Sequence, residues 1–296
     1  MNKLFSQCGT VVVFMTVPLF GIGTTFLNVP FTPRQLALGS AALLGDPSLF
    51  RFNPALVVQE RAATQVYFGY NGWLGDAVGH SVVAVQPMFG GTAAVGLRSL
   101  SISGLELRTG RPTDEPVANF MSSGTVAEVS WGRRNGTLQW GGTARWLRME
   151  SFVYASSGVA FDVGAAASLM EGQLSVGAAL RNAGSMNSFK ETSPALPTVL
   201  SAGVVFRPFT ADNSVGFLTS ASADFSERHG TVVRFGGEAS IGDFVVSAGM
   251  SSAEEVTSFS GATAFRARVL TISYAFQLAT HNLGMPHLIQ IQITLP

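Results

Sequence analysis

The stretch His287–Leu295, HLIQIQITL, alternates without a break: Ile289, Ile291, Ile293 and Leu295 fall on one side, Gln290, Gln292 and Thr294 on the other. Successive side chains of an extended chain point to opposite faces, so a period of two marks a β-strand with one apolar and one polar face. Working back from it, the pattern recurs. Over 268–278, Leu270, Ile272, Tyr274 and Phe276 oppose Thr271, Ser273 and Gln277. Over 173–181, Leu174, Val176, Ala178 and Leu180 oppose Gln173, Ser175, Gly177 and Arg181. Phe244, Val246, Ala248 and Met250 alternate with Ser247, Gly249 and Ser251.

From Thr64 onward the chain divides into about fourteen such segments, an even number as a closed bacterial barrel requires. They run over 64–71, 78–87, 91–104, 124–134, 137–149, 158–170, 173–183, 197–208, 214–226, 230–241, 243–251, 257–266, 268–279 and 287–295. Most are near the ~9–11 residues of a tilted transmembrane strand. Tight links follow the second, fourth, sixth, tenth and twelfth: Met88-Phe89-Gly90, Asn135-Gly136, Glu171-Gly172, Gly242 and Ala267. Asn-Gly is a strong hairpin signal. The links after the third and seventh, 105–123 and 184–196, are long and polar. Short periplasmic turns alternating with longer outer loops are the outer-membrane pattern.

The two faces differ as lipid and lumen would. Val95, Trp131, Trp140, Trp146, Phe161, Phe206, Phe217, Phe235 and Tyr274 share the apolar face, and several stand near strand ends, where aromatic girdles sit. Arg98, Glu128, Arg145, Asp162, Arg181, Asp224, Arg234 and Glu238 share the other. An Arg or Lys facing lipid at the midplane costs about 2–4 kcal/mol, and the strand charges avoid that face. In a dry sandwich core these charges would all need partners. The fold expected is all-β: a transmembrane antiparallel β-barrel.

Composition agrees. Of 296 residues 47% are hydrophobic and only 12% charged, with 18 basic against 18 acidic. The mean hydropathy is +0.32, yet no run after residue 30 approaches the ~20 apolar residues of a spanning helix. A neutral chain without a basic cluster has no electrostatic footprint for nucleic acid. Residues 1–27 carry Lys3 as their only charge, then an apolar core from Val11 through Leu19. This reads as a secretory signal peptide, with an uncleaved single-helix anchor as the alternative. Cys8, the only cysteine, precedes that core, so neither a disulfide nor a cysteine metal site is expected.

Between leader and strands, residues 31–56 read FTPRQLALGSAALLGDPSLFRFNPAL. Gly39, Gly45, Gly45-Asp46-Pro47 and Asn53-Pro54 break the stretch, while Leu36, Ala37, Leu38, Ala41 and Ala42 give it a small, apolar character. It fits a hatch tucked into a larger body. Arg34, Ala37-Leu38-Gly39, Asp46 and Asn53-Pro54-Ala55-Leu56 resemble the N-terminal signature of the PorV/PorQ group, outer-membrane barrels related to the fatty-acid transporter FadL. Ser40 stands where the group has a second glycine, and Asp46 alone where it has an acidic pair. The resemblance extends over nearly the whole mature chain and implies the outer membrane of a Gram-negative cell. With it the chain divides into a signal peptide at 1–27, a plug at 28–62 and a barrel at 63–296. Arg34, Gly39, Asp46, Asn53 and Pro54 are the candidate plug residues. Asp46 and Asn53 would cap turns or hold a movable gate. One departure from outer-membrane barrels stands at the end: the chain stops at Leu295-Pro296 rather than on an aromatic residue.

Chemistry is harder to find. His80, His229, His281 and His287 form no pair with metal-ligand spacing. His229 stands near Asp224 and Glu227, but Ser-Glu-Arg-His-Gly reads as a loop, and no phosphate-binding glycine loop occurs. Neither an enzyme nor a cofactor is expected. The eight lumen charges either fill the barrel as a salt-bridged lattice or line a path. The PorQ resemblance implies a type IX secretion accessory, a docking or shuttle platform for exported proteins or secretion components, embedded in outer-membrane lipid. The alternative is a FadL-like channel for hydrophobic small molecules.

Overall fold

A computed structural model describes residues 22–108, 115–189, 191–208, 215–227, 230–254, 256–282 and 284–295. The apolar core of the leader, Cys8 and His229 lie outside the described residues.

The chain forms fourteen strands: β1 (Thr64–Gly72), β2 (Val78–Met88), β3 (Gly91–Leu107), β4 (Ala118–Asn135), β5 (Leu138–Ser151), β6 (Tyr154–Leu169), β7 (Leu174–Met186), β8 (Val199–Phe206), β9 (Val215–Ser226), β10 (Gly230–Ile241), β11 (Phe244–Ala253), β12 (Val256–Ala267), β13 (Leu270–Ala279) and β14 (His287–Leu295). Each pairs antiparallel with its neighbours in sequence, and β1 pairs with β14 from Thr64↔Leu295 to Gly72↔His287, closing the barrel. Closure leaves no unpaired edge, the condition for spanning lipid with strands.

The long loops differ from expectation. β3 runs on to Leu107 and β4 begins at Ala118, so the 105–123 loop contracts to 108–117. Gly104, at φ +71°, absorbs a register shift between Ile102 and Leu105 and lets the ladder resume at Leu105↔Phe120. Likewise β7 continues through Met186 into the expected 184–196 loop. Nor is loop length strictly alternating: β5 turns into β6 through Phe152 and Val153 alone, with Phe152 at φ +55°. The β8–β9 link, on the short-turn end, spans 207–214.

Outward positions are apolar. Val95, Trp140, Trp146, Phe161, Phe206, Phe217, Phe235 and Tyr274 are all exposed. At the short-turn end Trp131 and Trp140 meet edge to face with centroids 5.3 Å apart, and Phe244 meets Phe265 at 4.8 Å. A large apolar surface on the outside of a closed barrel is a lipid face.

The interior is filled by residues 22–58, which wind once round the inside of the wall. Phe26, Leu27 and Phe31 lie in an apolar cluster with Leu100, Val126 and Leu147. A short helix, α1 (Pro33–Leu38), then packs on β10–β14. Thr32 caps it, its Oγ1 accepting from Gln35 N at 3.1 Å, and Gly39 ends it at φ +45°. Six residues cannot hold a helix alone in water; the wall supplies the rest. Two turns follow, Pro47–Leu49 and Pro54–Val57, capped by Asp46 (accepting from Ser48 N, 3.0 Å) and Asn53 (accepting from Ala55 N, 3.0 Å).

A belt of inward glycines makes this course possible. Gly249 pairs with Gly236, Gly203 with Gly177, Gly164 with Gly141 and Gly141 with Gly132 across neighbouring strands. A Cβ on Gly249 would collide with the Ala37 carbonyl, on Gly177 with that of Ala41, and on Gly132 would stand 2.7 Å from Val57. On β9, where no glycine faces in at this level, the Ser220 and Ser222 hydroxyls donate to the Leu38 and Gly39 carbonyls at 3.3 and 2.6 Å. At these glycines the segment passes close over the strand backbone.

Candidate functional site

All eight sequence-expected strand charges point into the barrel, and the structure sorts them into three groups. The first is centred on β4–β6. Glu128 receives Arg51 of the N-terminal segment and Arg145 (Nε to Oε2, 3.2 Å). Arg145 also donates to Asp162 Oδ1 at 3.0 Å and to Asn182 Oδ1 at 2.7 Å. A bulge in β7 opposite Asp162 turns consecutive residues Arg181 and Asn182 inward. The Asn182 amide thereby donates to Asp162 Oδ1 at 2.7 Å. Arg98 joins through weaker contacts, 3.4 Å from the Leu27 carbonyl, with its guanidinium 5.2 Å from the Phe31 ring centroid.

The second group is smaller. Arg181 and Arg234 donate to the same oxygen, Asp224 Oδ2, at 2.9 and 2.8 Å. Phe52 lies beneath both guanidiniums at 4.6 and 5.5 Å, within cation–π range. In the third, Arg34 grips Glu238 with two bonds (2.9 and 2.6 Å) and Asp46 with a third (3.0 Å), and Ser247 Oγ donates to Glu238 at 3.0 Å. Arg34 and Glu238 thus fasten α1 to β10. Sequence reasoning missed Arg51, which carries the segment's link to Glu128; its signal was a cation in an otherwise apolar stretch.

The candidate plug residues are therefore structural contacts. Asp46 and Asn53 cap turns as described, and Asn53 Nδ2 also donates to the Ala41 and Ala165 carbonyls at 2.7 and 3.1 Å. Pro54 lies with its carbonyl against Gly141, and Gly39 lies beneath the Arg234 side chain. Arg207, just beyond β8, ties Leu44 to the wall (3.2 Å to its carbonyl). Burial, reinforced by the field of Arg34, pushes its pKa below the ordinary arginine value. Two histidines, His80 and His287, flank Tyr70 with centroids 5.7 and 6.0 Å away. Among the described residues no cluster of His, Cys, Asp and Glu could hold a metal.

Space remains between the segment and the wall: at the short-turn end a cavity of about 560 Å³ lies on the β4–β7 side, lined by Leu44, Glu60, Arg134, Gln139 and Arg207 among others, and more lies along β10–β14. At the long-loop end a cavity of about 210 Å³ is lined by Gln35, Phe52, Trp73, Arg181, Arg234 and Gln277 among others. At the short-turn end one of about 340 Å³ is lined by Arg34, Asp46, Glu238, Arg266, Ser273 and Gln290 among others. α1 borders both: Gln35 and Leu36 face the first, Pro33 and Arg34 the second.

Among solved structures, the chain is similar to the TodX monoaromatic hydrocarbon channel (a deltaS2 mutant), with a TM-score of 0.57, 12% identity, and coverage of 94% of this chain and 98% of that one. It also matches Omp33 of Acinetobacter baumannii (TM-score 0.48, 9% identity, 79% and 97% covered) and the KdgM porin (TM-score 0.40, 8% identity, 78% and 99% covered). The likeness to TodX is one of fold. No protein-family model and no curated protein matches the chain.

Proposed function

We propose that this closed fourteen-strand barrel stands in the outer membrane of a Gram-negative cell and is a channel for small solutes, closed by its own N-terminal segment. The observation that carries this reading is the pair of cavities lying toward opposite ends of one wall, with the six-residue α1 between them. A helix that short is held by its contacts rather than by itself, so its anchors are the gate. The likeness to a channel of similar extent supports the reading; nothing in the comparisons favours a secretion platform.

A second reading has one observation in its favour. Ile22, Phe26 and Leu27 sit in an apolar cluster with Leu100, Leu147, Met149 and Met186 toward the long-loop end. There an apolar solute could replace them, as the FadL-like alternative requires. The β10–β14 wall argues for polar solutes instead, because pockets for apolar ligands are lined mainly by apolar groups.

Reconstituted into planar bilayers, the wild-type chain should show rare openings. Arg34→Met, which releases Glu238 and Asp46 from α1, should raise the open fraction about tenfold or more, the change expected from losing ~1.5–3 kcal/mol of charged hydrogen bonding. Folded protein with no conductance in either form would overturn the channel reading.

A further inference from the structure

The long-loop cavity carries an uncompensated charge. Arg181 and Arg234 share Asp224, and both bonds fall on Oδ2, while Oδ1 is buried without a hydrogen-bond partner. No other acidic residue lines this cavity among those described. Asp162 is committed to Arg145 and the backbone amide of Asn182, and Glu254 lies beside Gly230, which borders the cavity. Two guanidiniums against one carboxylate leave one positive charge. Burying such a charge is costly unless something answers it.

Further donors line the space. Arg181 Nε is taken by Ser201 Oγ at 3.1 Å. Arg234 uses one nitrogen on Asp224, and its side chain, 24% exposed, borders the cavity with the rest. Gln35, also in the lining, accepts from the Phe31 amide through Oε1 (3.2 Å). Gln277, Ser226 and Ser251 add amide and hydroxyl donors. Phe52 lies against both guanidiniums, a preorganised arrangement. A cation would meet two guanidiniums beside the one carboxylate, and an alkyl chain would desolvate the polar groups that line the space.

We propose that this cavity binds small hydrophilic oxyanions, carboxylates or phosphates, dissolved in the outer medium, and that these are the solutes the channel admits. The inference deepens the channel reading and rests on it for the second clause only. Arginine suits the class because its planar fork matches carboxylate and phosphate oxygens. The cavity lies inside the barrel, so lipid phosphates do not reach it. A volume of about 210 Å³ restricts the site to anions of a few heavy atoms.

The test is calorimetric titration of the full chain, purified in neutral detergent, with inorganic phosphate, succinate and the neutral sugar arabinose. Wild type should bind the two anions and not the sugar. Arg234→Gln should weaken both anions at least tenfold, Arg234→Lys should restore part of the loss, and Asp224→Asn should tighten them. Arg148→Gln, in an exposed ion pair outside both cavities, should change nothing. Equal heats from anion and sugar, absence of anion binding to wild type, or full affinity in folded Arg234→Gln would each overturn the proposal. Should Arg234→Gln fail to fold, the wild-type comparison of anion with sugar still decides. Anion binding without conductance would sink the channel reading alone; conductance without anion binding would sink this inference alone.

Discussion

Glu128 shows what the buried charges do at the scale of one residue. It is 2% exposed and holds Arg51 from the N-terminal segment and Arg145 from the wall. Replacing it by Gln keeps the shape but leaves two guanidiniums, with Arg98 nearby, in an interior that cannot hydrate them. Removing one partner of a buried pair costs about 3–5 kcal/mol, whereas exposed pairs are worth about 0–1 kcal/mol. Glu150, paired with Arg148 on the surface with both side chains nearly half exposed, is the matched control. In guanidinium chloride unfolding in detergent, followed by tryptophan fluorescence, Glu128→Gln should lose several kcal/mol and Glu150→Gln less than about one. Equal midpoints would mean that water reaches Glu128 and that the cluster is part of an open path.

At the scale of the element, the glycine belt separates the barrel's stability from that of its filling. Gly249 and Gly177 lie in paired strands whose backbone bonds a side chain does not disturb, yet each faces the backbone of the N-terminal segment. Gly249→Val should push α1 off the wall at a cost of about 1–3 kcal/mol and raise conductance while the strand content by circular dichroism stays unchanged. Unaltered conductance with intact strands would show that α1 is not the barrier. The strands themselves were legible from the sequence because side-chain alternation is local: the expected and observed limits of β10 coincide at 230–241, and β14 at 287–295. The loops were not, because strand extension past Gly104 depends on pairing with Phe120, a contact that no local pattern encodes. The inward direction of Arg145 or Asp224 was equally readable from parity. Their sorting was not, since it depends on Arg34 and Arg51 arriving from a segment whose path round the lumen is tertiary. Nor could parity reveal the β7 bulge that turns both Arg181 and Asn182 inward.

For the whole molecule, sidedness decides whether the anion cavity meets the outer medium. Residues 22–28 lie toward the long-loop end, where Thr24 Oγ1 donates to the Ala195 carbonyl at 2.8 Å and Asn182 Nδ2 to Asn28 at 3.0 Å. The segment then reaches the opposite rim by Gln59, whose amide donates to Thr92 Oγ1 at 3.4 Å, before β1 begins. The cavity lined by Arg181 and Arg234 is at the first end, that lined by Arg34 and Glu238 at the second. Outer-membrane barrels set their short turns in the periplasm, which turns the Arg181–Arg234 cavity outward and makes it the first site a solute meets. In a Cys8→Ser background, Val153→Cys in the β5–β6 hairpin and Thr137→Cys in the β4–β5 turn test this directly, since both positions are exposed. A membrane-impermeant maleimide on intact cells should label the first and spare the second, and lysis should make both reactive. The reverse pattern would invert the barrel, present the Arg34–Glu238 cavity to the medium instead, and make the arginine-rich cavity an exit rather than an entrance.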